Sequence, residues 1–187
     1  PIQKEIDRGG QVYFLHNDIK SLPFLLEKIG SFFPMARVAV GHGQMPSKQL
    51  EKTILSFFDG NVDILICTTI IESGLDVPNA NTIIINNAQK FGLSQLYQIR
   101  GRVGRGERQA FCFLCVPAGT ILPPEAYQRL KAIEYYSDLG SGYQIAMKDL
   151  EIRGAGDLLG GEQSGYINDI GFETYQKILK EAVDELK

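Results

Sequence analysis

Short apolar runs alternate along the chain with longer stretches of helical spacing. "QVYFLHN" (11–17), "ARVAVGH" (36–42), "VDILICTT" (62–69), "NTIIINN" (81–87) and "QAFCFLCV" (109–116) are predicted strands, brief and apolar almost throughout. "SLPFLLEKIGSFF" (21–33) puts Leu22, Leu25, Leu26 and Ile29 on one helical face, with Ser21 as predicted N-cap and Pro23 in the first turn. "PSKQLEKTILSFFDG" (46–60) predicts a helix with Leu50, Ile54 and either Phe57 or Phe58 inward, ended by Gly60. "SQLYQIRGRVGR" begins as a helix, and "PPEAYQRLKAIEYYSD" (123–138) opens on prolines and continues as one. Strands apolar on both faces and alternating with helices predict an α/β fold, a parallel sheet covered by helices on both sides. Its crossovers are expected to be right-handed.

After residue 139 the pattern changes. The stretch through Gly171 is rich in glycine and holds no strand pattern. "FETYQKILKEAVDELK" then sets Phe172, Tyr175, Ile178, Leu179, Ala182, Val183 and Leu186 on one stripe of an amphipathic helix. Residues 1–138 therefore read as an α/β domain, and 139–187 as a helical appendage with a glycine-shaped loop. There is no internal repeat.

Composition narrows the picture. At 187 residues, 44% hydrophobic and 22% charged, the chain suits one globular domain with an appendage. The net charge of −3 excludes a polycation, so any nucleic-acid contact must come from a local patch. No apolar run approaches 18 residues and no leader pattern is visible, so a soluble, cytoplasmic protein with no membrane partner is expected. The chain opens on Pro1 instead of methionine, which is expected of a piece of a longer protein. Three cysteines, an odd count, predict reduced thiols. Cys112 and Cys115 have CxxC spacing, but on a strand they point to opposite faces and cannot grip one metal. They are expected to be small buried side chains, and no metal site is expected.

Ligands of open parallel sheets sit at the carboxyl ends of strands, and three loops are expected to lie there. In "GHGQMP" (41–46), Gly41 and Gly43 would bare backbone amides around His42 for a phosphate; a simple turn is the alternative. In "TTIIESGLDVP" (68–78), Thr68 and Thr69 offer hydroxyls, Gly74 a close backbone and Asp76 an acceptor for a ribose hydroxyl, against a capped Asx-turn. The third is "LYQIRGRVGRGERQ" (96–109). Over residues 98–108 four arginines and one acid, Glu107, give a local charge of 4 − 1 = +3. Arg102 and Arg105 lie three apart among glycines, and on a helix that spacing puts both guanidiniums on one side; the alternative is a solvated basic turn. No GxxxxGK[ST] loop occurs anywhere, and "GAGDLLGG" fails the GxGxxG pattern because Leu159 takes the third glycine position. Arginines without a phosphate loop suit a finger reaching a nucleotide held by another domain.

"GHGQMP", "CTTIIESGLDVPNANTIIINNAQKFGLSQLYQIRGRVGRG" and "DLEIRGAGDLLGGEQSG", in that order, resemble the second motor domain of superfamily 2 helicases. Within these they resemble the ATP-driven double-stranded DNA translocases of transcription-repair coupling, and next to them the fork-remodelling, branch-migration helicases. The resemblance implies a RecA-like fold and covers nearly the whole chain. It implies that Arg105 is the arginine finger with Arg102 beside it, and that Gln98, Gly74 and Asp76 face the nucleotide. It implies that His42, Gly43, Thr68 and Thr69 face the DNA backbone. Arg153 and Gln163 fall in the translocation motif, with Glu151 and Asp149 as partners for its arginines. ATP and Mg²⁺ would be bound mainly by a first motor domain in cis, so this fragment alone is expected to be inactive. Double-stranded DNA would be the partner here, with RNA polymerase and excision-repair proteins met through regions outside this chain. Two other readings stand beside it: a nonenzymatic nucleic-acid-binding module, and a protein-interaction domain using the C-terminal helix.

Overall fold

The structure is a computed structural model that describes residues 1–69, 77–104, 106, 108–138 and 140–154. The elements run α1 (Ile2–Asp7), β1 (Gln11–Leu15), α2 (Leu22–Phe32), β2 (Val38–Gly41), α3 (Ser47–Phe58), β3 (Ile64–Cys67), β4 (Ala80–Asn86), α4 (Leu93–Arg100), β5 (Phe111–Cys115), α5 (Pro124–Tyr135) and α6 (Gly142–Arg153). The chain divides into two compact units. The first is Pro1–Phe91 with Gln98–Thr120, and the second is Gly92–Tyr97 with the residues from Ile121 onward.

The first unit holds one five-stranded sheet in the order β2-β3-β1-β4-β5, every pair parallel. Period-two alternation splits each strand between two apolar layers. Val12, Ile64, Ile66 and Ile84 face Ile2 of α1 and Leu22 and Ile29 of α2. On the other side Tyr13 meets Phe57 of α3, ring centroids 4.9 Å apart. Full burial of such side chains stabilises by about 1.5–3 kcal/mol each. Phe57 is thus the inward phenylalanine, while Phe58 is exposed. Helix α3 stops where predicted, because Gly60 takes a left-handed φ of +74°. Buried Gln11 ties that end down, its Nε2 donating to the carbonyls of Phe57 and Val62 at 2.6 Å each.

Two expectations need correction. Ser21 stands at the N-cap position of α2 but makes no cap hydrogen bond; its hydroxyl donates to Asp18 Oδ2 at 2.7 Å instead. The cysteines of β5 are not buried alike: Cys112 is half-buried and Cys115 exposed. The reason is position, since β5 is an edge strand covered by β4 on one side only. Cys67, on interior β3, is buried.

In the second unit α5 packs on α6. Its described core includes Ala126, Ala132, Ile133, Ile145 and Ile152. Gly142 opens α6 against Tyr97, whose hydroxyl would lie 3.1 Å from any Cβ there. The predicted helix over 172–187 lies outside the described residues.

Candidate functional site

A parallel sheet puts all its strand exits on one edge. The pairing Gly41↔Cys67 sets the end of β2 beside the end of β3, and Leu15↔Cys67 sets the end of β1 beside both. The sheet thus brings His42 and Gly43 next to Thr68 and Thr69. His42 is half-buried and Gly43 exposed. His42 Nδ1 is buried without a hydrogen-bond partner among the described residues. Gly41 closes β2, its carbonyl accepting from Thr68 N (3.3 Å) as β2 pairs with β3. Thr68 is 8% exposed, and Thr69 is the more open of the two. The Thr69 amide donates to Asn17 Oδ1 at 3.0 Å.

Asn17 belongs to a fourth loop, after β1, that the residue pattern did not single out. There Asn86 Nδ2 donates to His16 Nδ1 (2.9 Å), His16 Nε2 donates to Ser21 Oγ (2.7 Å), and Ser21 donates to Asp18 Oδ2 (2.7 Å). Each proton has one acceptor only when the imidazole is neutral and protonated on Nε2. Burial lowers the His16 pKa, and Lys90 lowers it further against the opposing pull of Asp18. The local signal for this loop is "LHND" at the end of a strand; that this strand is the central one of the sheet is visible only in the fold.

The arginine loop behaves differently. Helix α4 ends at Arg100, so the helical spacing invoked for Arg102 and Arg105 does not apply. The chain leaves α4 through two tight turns, Arg102 N to Ile99 O (3.1 Å) and Val103 N to Arg100 O (3.3 Å). Gln98 is exposed near the end of α4, and Arg102 is half-buried in the turn. The expectation that this loop lies at the strand exits is corrected: it feeds into β5 and is held where strands begin. Gly106 has the Pro78 carbonyl 3.2 Å from its Cβ position, and Gly104, at φ +84°, has the Ala110 Cβ at 3.1 Å. Pro78 precedes β4 and Ala110 precedes β5. These two glycines are required by conformation and packing, independently of any ligand. Arg108 has a structural partner, donating to the Arg8 carbonyl at 2.8 Å. Arg105, Gly74, Asp76 and Gln163 lie outside the described residues.

In the second unit Arg153 pairs with Asp149 (2.9 Å), whose Oδ2 also accepts from Ser94 at 2.8 Å. Asp149 is therefore the arginine's partner as expected. Glu151 is not, because the i,i+3 spacing gives it Lys148 at 2.8 Å. Helix α4 is shared: Ser94 falls in the second unit and Gln98 in the first. Among the described residues no group of three or more His, Cys, Asp or Glu could hold a metal ion. None of their helices is long and apolar enough to cross a membrane. Burial pushes the Cys112 thiol up to about 11, and raises Cys67 beyond that. Neither is a poised nucleophile.

Comparisons with known proteins agree with this geometry. Residues 2–107 match the helicase conserved C-terminal domain. The transcription-repair-coupling factors of Staphylococcus aureus and Staphylococcus haemolyticus are each 50% identical over 184 residues, 98% of this chain. The chain spans 16% of the length of those relatives. Among solved structures, RecG bound to a three-way DNA junction superposes with a TM-score of 0.71 at 37% identity, over 90% of this chain and 22% of that one. The C-terminal domain of the DEAD-box protein Dbp5 shares the fold, at TM-score 0.54 and 19% identity, over 73% of this chain and 78% of that one. With a RecA-like parallel sheet, an arginine loop after α4 and a family match over residues 2–107, the chain belongs to the helicase conserved C-terminal domain family.

Proposed function

We propose that this chain is the second motor lobe of an ATP-driven double-stranded DNA translocase of the transcription-repair coupling kind, with residues 139–187 as its translocation appendage. The observation that carries the reading is the 50% identity to coupling factors along 98% of the chain, which takes in both the arginine loop and the glycine-rich stretch after residue 138.

On this reading ATP and Mg²⁺ are held mainly by a partner lobe in cis, and this chain alone turns over no ATP. Arg105 and Arg102 stabilise charge developing on the γ-phosphoryl group, with Gln98, Gly74 and Asp76 facing the nucleotide. The half-buried turn that carries Arg102 and the exposed Gln98 beside it suit a phosphate arriving from outside the chain. His42, Gly43, Thr68 and Thr69 hold backbone phosphates, contacts that carry no base information. The β3–β4 connection bears on both tasks, since Thr68 leaves the carboxyl edge of the sheet and Pro78 meets Gly106 at the opposite edge. Arg153, Glu151 and Gln163 couple nucleotide state to movement. RNA polymerase and excision-repair proteins are met through other regions of the longer protein.

The test is ATP hydrolysis by the full-length parent. Arg105→Ala is expected to lower DNA-stimulated kcat by about 10³-fold or more, with ATP affinity within a few-fold; normal turnover would sink the finger assignment. A fork-remodelling helicase is the second reading, favoured by the TM-score of 0.71 to RecG. Displacement of a stalled polymerase without fork regression selects the first reading, and the reverse selects the second.

A further inference from the structure

Glu5 is a buried acid that the mechanism above does not use. Its side chain is 2% exposed, and a carboxylate so placed must be paired. Arg8 supplies the fork: Nε donates to Oε1 at 3.1 Å and Nη2 to Oε2 at 2.5 Å. Thr82 Oγ1, on β4, also donates to Oε2. Gly10 makes room, since any Cβ there would lie 1.7 Å from Oε1. The guanidinium is braced over the Phe111 ring, 5.2 Å from its centroid. So fixed, Arg8 reaches a backbone far along the chain. Nη2 donates to the Gln109 carbonyl at 2.7 Å, and Arg108 Nη1 returns a bond to the Arg8 carbonyl at 2.8 Å. Residues 108 and 109 are the exit of the arginine loop, and its start is fixed by the turns after α4.

We propose that the Glu5–Arg8 pair is a positioning clamp for the arginine loop, holding its exit at Arg108 and Gln109 so that the loop's arginines meet the nucleotide with a set reach. A pair serving only to neutralise a buried acid has no use for two reciprocal bonds to an exposed loop. Arginine is required, because one guanidinium bonds both Glu5 oxygens and the Gln109 carbonyl, whereas an ammonium is a point donor. The inference rests on the reading that this loop serves ATP hydrolysis.

The experiment uses the full-length parent with Arg8→Lys, which leaves a cation beside Glu5, and Arg108→Ala, which leaves the Glu5–Arg8 pair intact. Steady-state ATPase at saturating DNA is read beside thermal unfolding. Arg8→Lys is expected to lower kcat about 10-fold with KM for ATP within about two-fold, because a small misplacement of reacting groups has such effects. Arg108→Ala is expected to lower kcat about three-fold with an unchanged melting temperature. Either change added to Arg105→Ala is expected to cost less than it does alone, since part of its effect runs through that side chain. Unchanged kcat in both single variants, or a loss matching only the unfolded fraction, overturns the clamp while Arg105→Ala still abolishes turnover. If Arg105→Ala hydrolyses ATP normally, the reading of the loop fails, and the clamp with it.

Discussion

Protonating His16 would cost the fold more than burial alone implies. A proton on Nδ1 would face the Asn86 amide, which already donates to that atom at 2.9 Å. With burial as the first cause and Lys90 adding to it, the folded pKa lies below the ordinary value of 6.5. The sign follows from linkage. Below about 6.5 the unfolded chain binds a proton that the folded one refuses, so stability falls as pH drops from 6.5 toward the folded pKa. The urea midpoint is expected to decline as pH falls through about 6.5. His16→Gln, which keeps a polar side chain but cannot titrate, is expected to flatten that decline. An equal slope in both proteins would locate the sensitivity elsewhere. Asp63 acts over a lower window. The Arg37 guanidinium bonds its carboxylate and holds its pKa below 3.8, so that pair's contribution is present at neutral pH and fades as pH falls below about 4.

Among the elements, α3 separates two adjacent phenylalanines that the sequence leaves equivalent. Phe57 is 1% exposed against Tyr13, and Phe58 is 54% exposed. Phe57→Ala is expected to cost about 3–5 kcal/mol by opening a cavity under the sheet, and Phe58→Ala less than about 0.5 kcal/mol. Denaturant unfolding of the two variants checks the difference. The five strands were legible because each run is apolar almost throughout, on the edge strands β2 and β5 as on the interior ones, and α2 and α3 because their apolar spacing is regular. Two helices were not. Helix α1 has only six residues, too few to show a period. Helix α6 buries Ile145, Asp149 and Ile152 along one stripe, so a carboxylate interrupts the apolar signal, and glycines flank both ends. Asp149 is tolerated there because Ser94 and Arg153 bond it, partners that only the folded chain reveals. The candidate site was legible by residue type but not by location. Glycine and arginine spacing marked the loop at 98–108, while its attachment to Arg8, about a hundred residues earlier, left no local trace.

Taken whole, the sheet keeps its two proposed tasks on opposite edges. His42 and Thr69 lie at the strand exits, and the arginine loop is held where strands begin. A net charge of −3 supplies no general attraction for nucleic acid, so on the proposed reading this chain's DNA contacts are a small set of phosphate-binding groups at the exit edge. Changes at one edge should therefore leave the other's readout alone. In the full-length parent, His42→Ala with Thr69→Val is expected to raise the DNA concentration giving half-maximal ATPase about 10-fold, with kcat at saturating DNA nearly unchanged. Because the double variant removes no lysine or arginine, the slope of log affinity on log salt is expected to change little. Arg102→Ala is expected to do the reverse, lowering kcat at every DNA concentration without moving the half-maximal point. Titrations of ATPase rate against DNA at two salt concentrations read both quantities from the same samples. If Arg102→Ala shifts the half-maximal DNA concentration as far as the double variant does, the two edges do not act separately, and the arginine loop itself binds DNA.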